Sequence, residues 1–126
     1  MRQTAWKIFI SAFSLAAVAG ALLLTSFPAT AADAASSIVE KGKAVAIDRK
    51  KGNCLACHMM GDGTLPGNIG PPLISMKLRF PDKAKLRAQI WDATEKNPNS
   101  IMPPFGRHKM LSEEQIDLIN DYVYSL

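Results

Sequence analysis

Residues 54–58 read Cys54-Leu55-Ala56-Cys57-His58, and they hold both cysteines and one of the two histidines of this 126-residue chain. The C-x-x-C-H spacing is a c-type haem attachment signature with a chemical reason behind it. Two thiols about one helical turn apart can add to the two vinyl groups of a porphyrin. The next residue, His58, then lies under the iron and supplies an imidazole nitrogen as proximal ligand. A thioredoxin-like C-x-x-C would want a strand before it and would have no use for the histidine. A zinc site would want two more good ligands, but the only other histidine is His108 and no cysteine is left. One covalently attached heme c at Cys54, Cys57 and His58 is therefore expected. A core of this size is small for an independent domain. The haem is expected to supply much of the missing apolar volume, and the apo chain to fold poorly.

The N-terminus carries a separate signal. Arg2 and Lys7 precede an uncharged run from Ile8 to Phe27, and small residues follow at Ala29-Thr30-Ala31. A basic start, an apolar middle and an A-x-A site describe a secretory signal peptide over residues 1–31, cleaved before Ala32. The competing reading is an uncleaved anchor, since the run is long enough to span a bilayer. Cleavage leaves one domain, residues 32–126, in the periplasm and off the membrane. It also lowers the formal charge from +4 to +2 by removing Arg2 and Lys7. Two haem propionates bring the mature protein near neutrality, so a nucleic-acid partner has no support. The local exception is Lys77, Arg79, Lys83, Lys85 and Arg87, opposed only by Asp82. The plainer reading is a solvated helix face, the sharper one a docking patch.

The remaining pattern is helical. Ser36 or Ser37 can cap a helix reaching Lys51, with Ile38, Gly42, Val45 and Ala46 on one face and Lys50-Lys51-Gly52 at its end. Gly61, Gly63, Pro66, Gly67, Gly70, Pro71 and Pro72 make residues 59–73 a loop. Asp82 can cap a second helix over residues 83–96, stopped by Asn97-Pro98, with Leu86, Ile90 and Ala93 inward and Trp91 beside them. Ser112 and Gln115 form a capping box for a last helix, whose buried stripe is Ile116, Ile119, Tyr122, Val123 and Leu126.

A second axial ligand must come from a distant loop. Met59 and Met60 follow His58 directly and cannot reach round the ring. Met76 and Met110 read as core fillers. Met102 is followed by Pro103-Pro104, which stiffen the loop and hold the preceding residue extended. A thioether held in this way suits a His/Met site of raised potential, so the iron ligands are expected to be His58 and Met102. His108 is the reserve and would give bis-His ligation with a lower potential.

Cys54 to His58, Gly70-Pro71-Pro72-Leu73, a late Met102 and a C-terminal helix with Tyr122 together resemble class I cytochromes c. The resemblance implies an all-α fold of three to four helices around one covalently bound haem. It implies that the carbonyl of Pro71 accepts a hydrogen bond from His58, fixing the ring. It also implies that Gly42 of the first helix packs on Tyr122 of the last. A narrower resemblance is carried by Lys51-Gly52-Asn53 before the motif, Gly70-Pro71-Pro72-Leu73, Asn97-Pro98, and Met102-Pro103-Pro104-Phe105-Gly106 with His108. These are similar to the SoxX family, the mono-haem subunits of SoxAX cytochromes in bacterial sulfur oxidation. That similarity implies a SoxA-like cytochrome partner, which bears the catalytic haem and joins thiosulfate to a carrier-protein cysteine. It also implies a downstream electron acceptor and no catalytic residue here.

Independently of the resemblance, both thiols are committed to the haem and Met102 closes the iron. With Met102 on the iron, neither a thiol nucleophile nor an open metal remains, so electron transfer is the role left. A free-standing periplasmic electron shuttle is the alternative, and a haem enzyme or gas sensor with Met102 unbound is a third.

Overall fold

A computed structural model describes residues 31–126, in element order a helix, a short turn, a long loop, two helices, a turn and loop, and a last helix. The expected leader lies outside the described residues except for Ala31. Among the described residues no helix is long and apolar enough to cross a membrane.

The first helix, α1, spans Ala31–Ile47. It starts before Ser36, whose hydroxyl donates back to the Asp33 carbonyl at 2.9 Å from within the helix. Its inward stripe is Gly42 and Ala46, both buried, flanked by the half-buried Val39 and Val45, while Ile38 is exposed. Val39 thus takes the place expected of Ile38. The helix stops at Ile47, short of Lys51, because Asp48 redirects the hydrogen bonding. Its carbonyl accepts from the amides of Lys51 and Asn53, and its carboxylate from the amide of Lys50.

After the loop, α2 occupies Met76–Arg79 and α3 Lys83–Trp91. Asp82 caps α3 as expected, accepting from the Ala84 amide at 2.9 Å. The expected continuation to Lys96 fails at Asp92. This residue is extended, and its carboxylate caps a separate 3-10 turn, Ala93–Glu95, by accepting from the Thr94 amide. Side-chain competition of this kind is why Asp favours caps over helix interiors. The last helix, α4, spans Glu113–Ser125 and begins with the full capping box between Ser112 and Gln115. Each cap of this sort contributes about 0.5–2 kcal/mol.

Helix α4 is the hub, touching α1, α2 and α3. The crossing with α1 depends on one missing side chain. A Cβ on Gly42 would lie 2.0 Å from the Leu118 carbonyl oxygen and 2.9 Å from the Tyr122 Cβ. Only glycine lets the two backbones approach so closely. Three ion pairs from two cations fix α3 on α4: Lys83 with Asp121, and Arg87 with both Asp117 and Glu113. Two of the five cations of the basic span are thus spent inside the fold. Ile116, Ile119, Tyr122 and Val123 of α4 meet Leu86, Ile90, Met60, Met76, Phe105 and Leu111 in one core. Four helices with no named strand among the described residues, and one isolated bridge between Met60 and Leu73, make an all-α architecture that agrees with the expected class.

Candidate functional site

The C-x-x-C-H string forms a tight turn. Asn53 takes a left-handed conformation (φ 48°) and leads into the 3-10 turn Cys54–Ala56. The Cys54 carbonyl then accepts from the amides of Cys57 at 3.1 Å and His58 at 2.9 Å. Further backbone bonds stitch the following loop onto this turn: Gly67 N–H to Leu55, Gly70 N–H to Cys57 and Leu73 N–H to Met59. The loop therefore folds back over its own motif without forming a strand.

That return places Pro71 beside the histidine. His58 Nδ1 lies 2.7 Å from the Pro71 carbonyl oxygen. A carbonyl can only accept, so Nδ1 carries the proton and Nε2 keeps the lone pair a metal needs. The approach requires glycine at position 70, where a Cβ would stand 2.4 Å from His58 Cε1 and 2.6 Å from Nδ1. Gly67 has a similar role under the turn, since its Cβ would fall 1.9 Å from the Ala56 carbonyl oxygen. The next carbonyl, of Pro72, accepts from Arg79 Nη1 at 2.6 Å, tying α2 to the same turn. Gly70 stands in the Gly70-Pro71-Pro72-Leu73 string and Gly67 among the loop glycines, but the sequence carries no sign of their contacts with His58 and Ala56, nor of the bond from Arg79 to Pro72.

Cys54, Cys57, His58, Pro71 and Met102 all line one cavity of about 860 Å³. Its other walls are largely apolar, with Leu86 and Ile90 of α3, Phe105, and Ile119 and Val123 of α4. Arg49, Lys51 and Arg79 lie on the same lining and supply positive charge. Burial pushes the Cys54 thiol up to about 11, so it stays protonated at neutral pH. The volume falls in the range of about 300–1,000 Å³ typical of cofactor sites. Two thiols and an imidazole on one stretch of wall, an apolar interior and cations on the lining fit a haem with its two propionates.

The other candidate ligands are distributed unevenly. Met76 and Met110 reach the same cavity, Met76 fully buried and Met110 half exposed. Met59 is exposed and Met60 is buried in the core; neither is on the lining. His108, the reserve ligand, is exposed and outside the lining as well. The residues around Met102 are held from outside the loop. The Gly106 amide donates to the Trp91 carbonyl at 3.0 Å, and Arg107 Nε lies 3.1 Å from Asp92 Oδ2. No sequence pattern singled out Asp92. Among the described residues no cluster of three or more histidine, cysteine and carboxylate side chains exists to hold a bare metal ion.

Comparison with known proteins points to a cytochrome c domain. Residues 39–123 match the family model described as cytochrome c oxidase, cbb3-type, subunit III. An uncharacterized lipoprotein of Aquifex aeolicus (strain VF5) is 38% identical over 77 residues. That alignment covers 60% of this chain and 37% of the relative, so the chain spans little more than a third of that protein's length. The family implies haem and electron transfer, and the matched span takes in the motif turn, the cavity walls and nearly all of α4. The chain belongs to this family of cytochrome c domains.

Proposed function

We propose that Cys54 and Cys57 would hold one heme c covalently, that His58 and Met102 would ligate its iron, and that the protein works as the electron-transfer subunit of a SoxAX-type complex. The observation that carries the haem assignment is the meeting of Cys54, Cys57, His58 and Met102 on one apolar cavity. The bound iron supplies a one-electron couple. The protein's part is to set that couple and shield it. The Pro71 carbonyl fixes the His58 ring and its tautomer. Ligation by a thioether and an imidazole would raise the potential relative to two imidazoles. Leu86, Ile90, Ile119 and Val123 keep water from the interior of the site.

The assignment to sulfur oxidation rests on the likeness of Met102-Pro103-Pro104-Phe105-Gly106 and His108 to SoxX. With both thiols committed, the chain has no cysteine to carry or attack sulfur. The catalytic haem and thiosulfate coupling then belong to a SoxA-like partner, and this chain takes the electrons on to a downstream acceptor. Such a protein works in the periplasm. Carrier-dependent thiosulfate oxidation tests this with the chain alone, the partner alone and the two together. Turnover is expected only when the partner is present and is faster with both. Turnover by this chain alone, or equal rates without it, would overturn the reading. The second reading is a shuttle serving a terminal oxidase, favoured by the description of the matching family. Recovery of the protein from periplasm without a second haem protein is the outcome that favours the shuttle.

A further inference from the structure

The loop that carries Met102 is mounted on three consecutive residues at and just after the end of α3, Trp91, Asp92 and Ala93. On the near side the Asn97 amide donates to the Ala93 carbonyl at 3.2 Å. On the far side the Gly106 amide donates to the Trp91 carbonyl, and Arg107 pairs with the Asp92 carboxylate between them. Gly106 lies flat on the indole: a Cβ there would come within 2.1 Å of Trp91 Cδ2. Met102 sits mid-span, its own amide donating only to the Ser100 hydroxyl at 3.3 Å. Pro103 and Pro104 stiffen this backbone, but no hydrogen bond among the described residues fixes the thioether as the Pro71 carbonyl fixes His58.

Resting on the reading of Met102 as axial ligand, we infer that Asp92 and Arg107 are positioning residues for that ligand. Their ion pair, with Gly106 seated on Trp91, holds the loop so that the Met102 sulfur stays at the cavity. The Asp92 side chain is only 2% exposed, whereas that of Arg107 is 53% exposed. Asp92 Oδ1 is committed to the Thr94 amide and hydroxyl. Oδ2 is buried with no aligned hydrogen bond and has the guanidinium as its ionic partner. A buried charge that loses its partner is strongly unfavourable, so the carboxylate draws the loop back whenever it opens. The Thr94 hydrogen bonds, and then the charges of Arg107 and His108, hold the Asp92 carboxyl below the usual carboxylate range and keep it ionised.

The test uses the full-length holoprotein and the variants Arg107→Ala, Arg107→Lys, Asp92→Asn and Met102→Ala. Arg107 is at the surface, so its truncation removes no core side chain and leaves the Asp92 carboxylate buried without its ionic partner. Three quantities are read: the far-red methionine–iron band, the affinity of the ferric protein for imidazole, and hydrogen exchange at the Gly106 amide. Arg107→Ala is expected to raise imidazole affinity by about 5–30-fold, the change that follows from losing one well-placed interaction. It should also speed exchange at Gly106 while leaving Gly70 unchanged. Arg107→Lys should recover part of both, and Asp92→Asn should match the alanine variant. A lowered melting temperature with unchanged imidazole affinity would reduce the pair to ordinary structure and overturn the inference. A Met102→Ala protein that keeps its far-red band would remove the ligand assignment itself, and the positioning role with it.

Discussion

The two faces of the cavity are built on different principles. The attachment face is local: within twenty residues the chain makes the turn at Cys54, returns through Gly67 and Gly70, and sets the Pro71 carbonyl on His58. The opposite face is remote. Met102 depends on Trp91, Asp92 and Ala93 of another element and on Phe105 buried in the core. A ligand fixed by its own backbone neighbourhood should survive perturbation elsewhere. One fixed by tertiary contacts should be lost first as the fold loosens. Protein ligand loops that must move come from the less stable end of a structure.

The sharpest way to break the attachment face is to remove its chemistry. Cys54→Ser with Cys57→Ser should abolish covalent haem and leave a chain that loses its compact fold, because whatever binds only the native state stabilises it. Haem-stained denaturing gels and circular dichroism check both parts; undiminished covalent haem would sink the attachment. Next in size is Gly70→Ala, whose methyl must displace either the imidazole or the Gly-Pro-Pro turn. Such strain costs about 1–3 kcal/mol. The low-spin spectrum should weaken, together with a lower urea midpoint.

Met102→Ala should affect only the remote face. The ferric spectrum should turn high-spin and bind carbon monoxide once reduced, while covalent haem is retained in full. His108 is exposed and away from the cavity, so a bis-His spectrum would require the whole 103–111 loop to swing. If the alanine protein keeps a methionine–iron band, Met76 or Met110 is the ligand. The smallest effect belongs to an exposed pair on the attachment side. Lys43 donates to Asp62 at 2.9 Å, holding the carboxyl below its ordinary range and the ammonium above its own. A depressed carboxyl contributes stability above its unfolded pKa, and that contribution is lost as pH falls through the lower folded value. Asp62→Asn should therefore cost little at neutral pH, and the difference from wild type should fade below about pH 4. A difference that persisted in acid would mean that the side chain acts through something other than its charge.

How much of this could be read in advance follows the same division. The C-x-x-C-H turn, the Asp82 cap and the Ser112–Gln115 box are short-range, and each formed where its residues stand. The α4 stripe followed from its period, although Asn120 is buried within it, its amide reaching the Lys83 carbonyl at 3.4 Å. Helix α2 was missed because four residues between Pro72 and Pro81 leave no period to detect. The break at Asp92 was missed because Ala93 keeps the apolar spacing of a continuing helix. The carboxylate ends that helix by capping Thr94 and by pairing with Arg107, and a pairing over that distance leaves no mark in a linear pattern. Spacing alone places Ile38 inward, whereas Val39 shares the inward face with Gly42 and Ala46 and Ile38 is exposed.

The close approach of Gly42 to Leu118 has a consequence for the order of events as the chain is made. The two residues belong to α1 and α4, so the contact closes a loop containing most of the described sequence. Contacts of such separation form late, because the entropy of closure is lost before they return anything. A chain emerging N-terminus first presents Cys54, Cys57 and His58 before α4 exists. On the proposed attachment, covalent capture of the prosthetic group would precede the final closure, and α4 would fold down afterwards.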